Sequence, residues 1–280
     1  MPYVERPHEP AIFYELDDYT DPWKKAPCLL LQHGFARSSR FWYSWVPYLS
    51  RFYRVVRPDL RGLGNSSRQF DFNTGLGLNI YLDDINAIID HLNVDSVHYC
   101  GESLGGILGM AFAAEFPARV RTLSLISAPV YVSEHNQQNT TYGYSSRIEA
   151  LRQMGAQGWA EASNAGRRFP PDADPGLLRW TAEEMGKADV DLLIAGQRWV
   201  ADLTVAPYLP RIKAPVLGIY PTAGPIAGDE QIQVLRSCVP DIRIVRSRSR
   251  YHSIQSFEPA ACAQEVLYFA AQFDGITCRE

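Results

Sequence analysis

Short apolar runs alternate with segments of helical periodicity through most of the chain. Cys28 to Gln32 is almost entirely apolar, which is typical of a strand buried on both faces. Apolar residues at positions 82, 85, 88, 89 and 92 predict a helix over Leu82–Leu92. Further strands are predicted at 11–16, 53–57, 96–100, 120–126, 214–220 and 242–246, and further helices at 40–49, 229–238 and 259–273. This alternation predicts an α/β fold with a mostly parallel, doubly wound sheet.

The pattern changes between about Val130 and Tyr208. Long apolar runs disappear there, Gly, Asn, Gln and Ser become frequent, and Trp and Tyr are scattered through helical stretches. The strand pattern resumes at Ala214. We therefore predict a core built from residues 1–129 and 209–280, with residues 130–208 inserted as a helical cap.

One motif stands at a predicted strand-to-helix junction. Gly101-Glu102-Ser103-Leu104-Gly105 fits the G-x-S-x-G turn, which holds a serine on a sharp, strained corner. A side chain at either glycine would clash at so tight a bend. The backbone N–H of Leu104, in the first turn of the helix, points at the group that the serine attacks. The alternative interpretation is a tight turn in which Ser103 only caps the helix.

Composition excludes several classes of function. The 280 residues carry a formal net charge of −4 without a basic run, which argues against a nucleic-acid partner. The N-terminus lacks the apolar run of a signal peptide, and no stretch is long enough to span a bilayer. Five scattered cysteines without a C-x-x-C pair indicate a reducing compartment, so a cytoplasmic location is predicted. No cluster of metal ligands is present, and no cofactor is expected.

Four segments together resemble the α/β-hydrolase superfamily, in its cap-bearing branch of small esterases, lactonases and carbon–carbon bond hydrolases. They occur in the family's order: His33–Phe35, Asp59–Ser66, Gly101–Gly106 and Tyr251–Ile254. The resemblance implies the α/β-hydrolase fold, Ser103 as the nucleophile and His252 as the general base. It also implies an oxyanion hole made by the backbone N–H groups of Phe35 and Leu104. The Asp59–Ser66 turn is expected to be structural.

The distribution of histidines independently favours His252 as the base. A serine hydroxyl is a weak nucleophile at neutral pH and needs an adjacent base. His252 lies in a loop directly after a late strand, from which it can reach the corner at Ser103. The other five lie in the N-terminal segment, beside the oxyanion loop, on a helix, in a strand and at the start of the cap: His8, His33, His91, His98 and His135. A histidine of a surface loop is the alternative interpretation of His252.

The carboxylate that would normally hold the histidine is missing from both usual positions. The family places it after the strand that here precedes Pro221, where Gly224 stands, or after the strand that ends before Ser127. Displaced candidates are Glu134, Asp229 and Glu230, although each is also readable as a solvated residue. A Ser–His dyad is the second possibility, although loss of the carboxylate can cost about 10⁴ in turnover.

These observations predict a serine hydrolase that cleaves a small-molecule ester, lactone or similar activated carbonyl through an acyl-enzyme. The partner is a small, partly apolar substrate, because aromatic residues are plentiful outside the core strands. The alternative is a non-hydrolytic relative that binds a small ligand, or a cofactor-free lyase or oxygenase that uses His252 as a base. The missing carboxylate motivates that alternative.

Overall fold

A single sheet of eight strands runs through the computed structural model, which describes residues 2–133, 138, 140–224 and 226–278. The strands are β1 (Tyr3–Val4), β2 (Ile12–Asp17), β3 (Cys28–Gln32), β4 (Arg54–Pro58), β5 (Val97–Glu102), β6 (Val120–Ile126), β7 (Val216–Tyr220) and β8 (Ile242–Arg246). Their order across the sheet is β1-β2-β4-β3-β5-β6-β7-β8. Only the pairs that involve β1 and β2 are antiparallel. The predicted mostly parallel sheet is confirmed.

Helices cover both faces of the sheet. The α-helices in the described part of the chain include α1 (Val46–Leu49), α2 (Leu78–His91), α3 (Leu104–Glu115), α4 (Arg147–Ser163), α5 (Pro175–Gly186), α6 (Val190–Ala201), α7 (Asp229–Cys238), α8 (Ile254–Phe257) and α9 (Pro259–Asp274). Strand residues alternate between two apolar clusters, as a period of two requires. Tyr99 faces the cluster that contains α2 and α3, whereas Cys100 faces the cluster that contains α9.

The prediction of one helix over residues 40–49 is wrong. The structure has a short 3₁₀ turn at Ser39–Trp42 and then α1, with Pro47 in its first turn. A proline has no N–H to donate backwards, so it starts a helix more easily than it continues one. Trp42 and Trp45 instead pack edge to face, with their ring centroids 4.8 Å apart. The two-residue strand β1 was not predicted, because it is too short to show a period.

The segment between β6 and β7 contains α4, α5 and α6. Its two ends are tied together, because Tyr131 pairs with Thr204 and the N–H of Val205 donates to the carbonyl of Val130 at 3.0 Å. α4 begins where the Ser146 hydroxyl accepts a hydrogen bond from the backbone of the third residue beyond it. The division into a core and a cap spanning residues 130–208 stays a prediction.

Two further features bear on the sequence-based expectations. Among the residues that the structure describes, no helix combines the length and apolar character needed to cross a bilayer. All five cysteines are free thiols, and Cys28, Cys100 and Cys262 are buried.

We expect Asp274→Asn to lower the free energy of unfolding by about 2 to 4 kcal/mol, measured by urea denaturation. The Asp274 carboxylate is buried at the end of α9, where it lies 2.7 Å from Nε2 of His98 and accepts a hydrogen bond from the Tyr53 hydroxyl at 3.1 Å. Arg121 pairs with its second oxygen.

Asp90→Asn is the matched control for this prediction. Asp90 also pairs with an arginine, but its side chain is 62% exposed. Its replacement should cost less than about 1 kcal/mol. Equal losses for the two variants would contradict the structural role assigned to Asp274.

Candidate active site

Ser103 lies on the sharp corner between β5 and α3. Its backbone has φ 53° and ψ −115°, a strained combination for a residue with a side chain. The corner closes only over glycines. A Cβ on Gly101 would lie 2.3 Å from the carbonyl oxygen of Gly105, and a Cβ on Gly105 would lie 2.3 Å from that of Gln32. The motif therefore adopts the strand-to-helix turn that the sequence predicts.

The loop that follows β3 runs directly against this corner. A Cβ on Gly34 would lie 3.1 Å from the Cβ of Ser103. His33 fixes the loop: its Nδ1 donates to the Gly34 carbonyl at 2.8 Å, and its Nε2 accepts from the Leu60 N–H at 2.9 Å. Burial lowers the pKa of His33 to about 4, so the ring is neutral and able to accept at neutral pH. These bonds allow His33 to orient the loop after β3.

Phe35 and Leu104 lie on the two segments that meet at Ser103. Their side chains line one small cavity of about 10 Å³ that is covered by α6. Leu104 is the first residue of α3, where no preceding helical carbonyl is placed to accept its N–H. The Phe35 ring packs against Trp159 of α4, with centroids 6.1 Å apart. The inserted segment therefore lies over both residues predicted to form the oxyanion hole.

His252 is fully buried in the loop after β8. Its backbone N–H donates to the carbonyl of Arg167 at 3.1 Å, and that of Ser253 donates to the carbonyl of Arg168 at 2.9 Å. The inserted segment thus holds the histidine loop by its backbone. Nε2 of His252 lies 3.5 Å from Oε1 of Glu102, the residue immediately before Ser103. The structure therefore places the His252 ring beside the residue that precedes Ser103.

Glu102 is a part of the site that the sequence-based analysis did not identify. The carboxylate is buried, and its Oε2 lies 3.3 Å from Nη1 of Arg37. Arg37 in turn donates through Nη2 to the Ser253 hydroxyl at 2.7 Å. Within the described residues, neither oxygen of Glu102 and neither ring nitrogen of His252 has a hydrogen-bond partner. The available signal was a carboxylate at the end of an otherwise buried central strand.

Positive charge dominates the surroundings of His252. Burial, and then the charges of Arg168, Arg37 and Arg167, hold the pKa of His252 well below its usual value. Burial lowers the pKa of Arg168 to about 10, so this side chain is still charged at neutral pH. Glu102 is the carboxylate that contacts this group of arginines. The site as folded therefore favours a neutral imidazole.

The two usual acid positions offer nothing to His252. A Cβ on Gly224 would lie 2.7 Å from the carbonyl oxygen of Ala227, so the backbone closes over this position. Ser127 is buried with φ 48°, and its hydroxyl has no hydrogen-bond partner among the described residues. The backbone at Gly224 therefore leaves no room for the side chain of an acid.

The displaced acids are engaged elsewhere or are not described. Asp229 pairs with Arg246 and its side chain is 74% exposed. Glu230 accepts a hydrogen bond from the Tyr131 hydroxyl at 2.9 Å. Glu134 lies outside the described residues, as does His135.

The Asp59–Ser66 turn has the structural role predicted for it. The carboxylate of Asp59 accepts from the backbone N–H groups of Ser39 at 2.5 Å and Asn65 at 2.8 Å. Arg61 donates two hydrogen bonds of 2.7 Å to the carboxylate of Asp84 on α2. These bonds tie the turn to the loop after β3 and to α2.

Comparison with known proteins gives a consistent result. Residues 27–163 match the family described as alpha/beta hydrolase fold. The putative carbamate hydrolase RutD of Agrobacterium fabrum is 30% identical over 149 residues, 53% of this chain and 54% of that protein. The 2-hydroxy-6-oxo-2,4-heptadienoate hydrolase of Pseudomonas putida is 32% identical over 130 residues, 45% of this chain and 46% of that protein. The matched stretches thus span about half the length of these relatives.

A third relative is a receptor, and a solved structure covers nearly the whole chain. The Karrikin insensitive 2 receptor IA of Petunia hybrida is 36% identical over 101 residues, 36% of this chain and 37% of the receptor. The enol-lactonase from Burkholderia xenovorans LB400 superimposes with a TM-score of 0.84 at 22% identity, over 96% of this chain and 100% of that one. The predicted α/β-hydrolase fold is confirmed by this likeness.

Acidification from pH 7 to 4 should lower the free energy of unfolding, because buried neutral histidines must then take protons that the unfolded chain binds more easily. A folded pKa of about 4 for His33 means that its contribution is fully present above about pH 6.5 and is lost as the pH falls towards 4. The loss for this group alone is about 3 kcal/mol.

The measurement is urea denaturation at a series of pH values on the native chain and His33→Asn. The variant should show a clearly smaller fall between pH 6.5 and 4, although it is less stable at pH 7. His8→Asn, which removes an exposed histidine, is the matched control. An unchanged slope in His33→Asn would show that His33 is not buried in its neutral form.

Proposed function

We propose that this chain, a member of the α/β-hydrolase superfamily, is a serine hydrolase that cleaves an ester, lactone or similar activated carbonyl of a small molecule. Ser103 is the nucleophile and His252 the general base. The backbone N–H groups of Phe35 and Leu104 hold the oxyanion. The observation that carries the proposal is the strained corner at Ser103, with buried His252 3.5 Å from the residue before it.

The chemistry follows from these positions. The Ser103 Oγ–H bond breaks and its proton passes to the lone pair of a His252 ring nitrogen. The Oγ electron pair forms a bond to the carbonyl carbon, while the π pair of the carbonyl moves onto its oxygen. Collapse of this intermediate expels the leaving group, which takes the proton from His252. Water, deprotonated by His252, then releases the acyl group from Ser103 by the same steps.

The arginines around His252 favour a substrate that carries a carboxylate. Arg37, Arg167 and Arg168 place positive charge around the buried ring, and Glu102 is the carboxylate beside them among the described residues. Guanidinium groups are the side chains best suited to bind carboxylates in such a setting. Two hydrolases of similar sequence or fold have names that indicate carboxylated or lactone substrates, the heptadienoate hydrolase and the enol-lactonase.

The apolar part of the substrate is expected against the apolar side chains beside the oxyanion hole, where the cavity of about 10 Å³ has room for about one water as folded, so side chains of α6 must move for a substrate to enter. The small cavity there is lined mainly by apolar side chains from the core and from the inserted segment: Leu63, Leu76, Tyr81, Leu192, Leu193 and Trp199. Residues 130–208, as the cap, would thus set substrate choice. The free thiols are consistent with a cytoplasmic location.

A second candidate function is capture of a small ligand with only incidental turnover. It is favoured by Gly224 and Ser127 at the usual acid positions, and by similarity to a protein that is called a receptor. A lyase or oxygenase that uses His252 as a base without an acyl-enzyme is a third possibility.

A fluorophosphonate should add once to the native chain, at Ser103, within minutes. Intact-mass measurement should show no adduct on Ser103→Ala, and a rate at least about 10³ lower on His252→Ala, because the hydroxyl is then left without its base. Ser66→Ala, which removes a serine of the structural turn, is the control and should label at the native rate.

Two outcomes would contradict the proposed mechanism. A native chain that remains unlabelled, while its folding is verified by circular dichroism, would leave Ser103 without activation and would favour the ligand-binding alternative. Rapid labelling of His252→Ala would show that another group activates the serine.

An ester with a free carboxylate should be a better substrate than its uncharged analogue. For the mono-p-nitrophenyl ester of glutaric acid, kcat/KM should exceed that for p-nitrophenyl pentanoate by about tenfold or more, since a charge-assisted hydrogen bond contributes about 1.5 to 3 kcal/mol. Arg168→Gln should reduce this preference. Arg211→Gln, which changes an arginine whose side chain is 52% exposed, should not. Equal kcat/KM values for the two esters would refute the carboxylate preference but would not contradict the serine mechanism.

A further inference from the structure

We propose that Glu102 is the carboxylate that positions His252 and stabilises its protonated form, in place of the acid that the usual positions lack. The proposal rests on the serine hydrolase mechanism above. It assigns to the second residue of the G-x-S-x-G motif a role that is normally filled by an acid from a different strand. The juxtaposition that carries it is Oε1 of Glu102 at 3.5 Å from Nε2 of His252, with both side chains at most 1% exposed.

The fold forces Glu102 into this place. Side chains alternate along β5, so Cys100 and Glu102 point to the face of the sheet that carries α9, and Gly101 points to α3. The loop that bears His252 leads into α8 and α9 on that same face. Glu102, the last residue of β5, therefore points towards His252.

The surroundings hold Glu102 in one position. Nη1 of Arg37 lies 3.3 Å from Oε2, which leaves Oε1 facing the imidazole. Nη2 of the same guanidinium donates to the Ser253 hydroxyl at 2.7 Å, so Arg37 connects the carboxylate to the histidine loop. A Cβ on Gly34 would lie 2.3 Å from Oε2, so the oxyanion loop passes directly over the carboxylate.

The 3.5 Å separation is an ion-pair distance that is longer than a hydrogen bond. Such contacts in free enzymes commonly tighten when the reacting complex forms. In that complex the ring nitrogen that faces Glu102 carries a proton, and the second ring nitrogen keeps the lone pair that receives the Ser103 proton. The carboxylate then stabilises the imidazolium against the opposing charges of Arg37, Arg167 and Arg168.

The test compares the rate of fluorophosphonate labelling against pH for the native chain, Glu102→Gln and Glu102→Asp. Glu102→Gln keeps the shape and removes the charge, so its plateau rate should fall by roughly 10²-fold or more. Its inflection should also move to lower pH, because the imidazolium loses its counter-charge. Glu102→Asp keeps the charge and should recover part of the rate. A purely structural role would lower the rate without moving the inflection.

Asp274→Asn is the matched control, because it removes the buried carboxylate partner of another histidine, His98, at the opposite end of β5. It should label at the native rate. If Glu102→Gln does not fold, Glu102→Gln/Arg37→Met removes both buried charges together and should still label slowly. Native rates in Glu102→Gln or in the double variant would overturn the proposal.

A second measurement separates failure of this inference from failure of the proposed function. The imidazole ¹⁵N shifts of His252 report which ring nitrogen is protonated, whether or not Ser103 reacts. In the native chain one tautomer should dominate, and Glu102→Gln should make the two tautomers comparable. An unlabelled native chain with this tautomer change would refute the serine mechanism alone. An unchanged tautomer in Glu102→Gln would refute the role of Glu102.

Discussion

The contact of backbone with backbone at the corner between β5 and α3 is the constraint on which the site depends. Ser103 reaches its positive φ only because Gly101 lies against Gly105, and Gly105 lies against the carbonyl of Gln32 in β3. A Cβ at Gly101 or Gly105 would clash with the backbone at these contacts. The close approach also fixes the distance between the oxyanion loop and the start of α3. Ser103, the first turn of α3 and the loop after β3 are therefore held in one junction, to which the proposed mechanism adds His252 and its carboxylate partner.

The same corner explains why a carboxylate is buried in the middle of the molecule. The last residue of the central strand must point away from α3, towards the loop that carries His252, because its neighbour Gly101 faces α3. An uncompensated carboxylate there would be strongly unfavourable. Arg37 provides the compensation from the oxyanion loop at 3.3 Å. Glu102, Arg37 and His252, which are distant in sequence, thereby form one buried cluster of polar side chains next to Ser103.

The sequence predicted what depends on local pattern and left out what depends on distant contacts. Apolar periodicity and glycine spacing are local, so the sheet, the corner at Ser103 and the loop of His252 could be predicted. The helix predicted over residues 40–49 is absent as one element, because Pro47 begins a new helical turn instead of continuing an earlier one. The role of Glu102 could not be predicted, because its partners Arg37 and His252 lie far from it in the chain and no periodicity links the three residues. The arginines of the inserted segment occupy an irregular stretch, residues 164–168, for which no pattern exists.

Charge balance at His252 links substrate binding to catalysis in the proposed mechanism. Burial and three arginines oppose protonation of the ring, whereas the Glu102 carboxylate, 3.5 Å away, would favour it in its proposed role. A substrate carboxylate that pairs with the arginines would offset part of their positive potential at His252. The ring could then accept the Ser103 proton more easily. Such a substrate would gain in kcat as well as in KM, because the same charge that binds it also stabilises the imidazolium. An uncharged ester would bind beside arginines that still disfavour the imidazolium. Selectivity would then arise in the chemical step, and the inserted segment, which supplies Arg167 and Arg168, would contribute to the basicity of His252 as well as to the shape of the pocket.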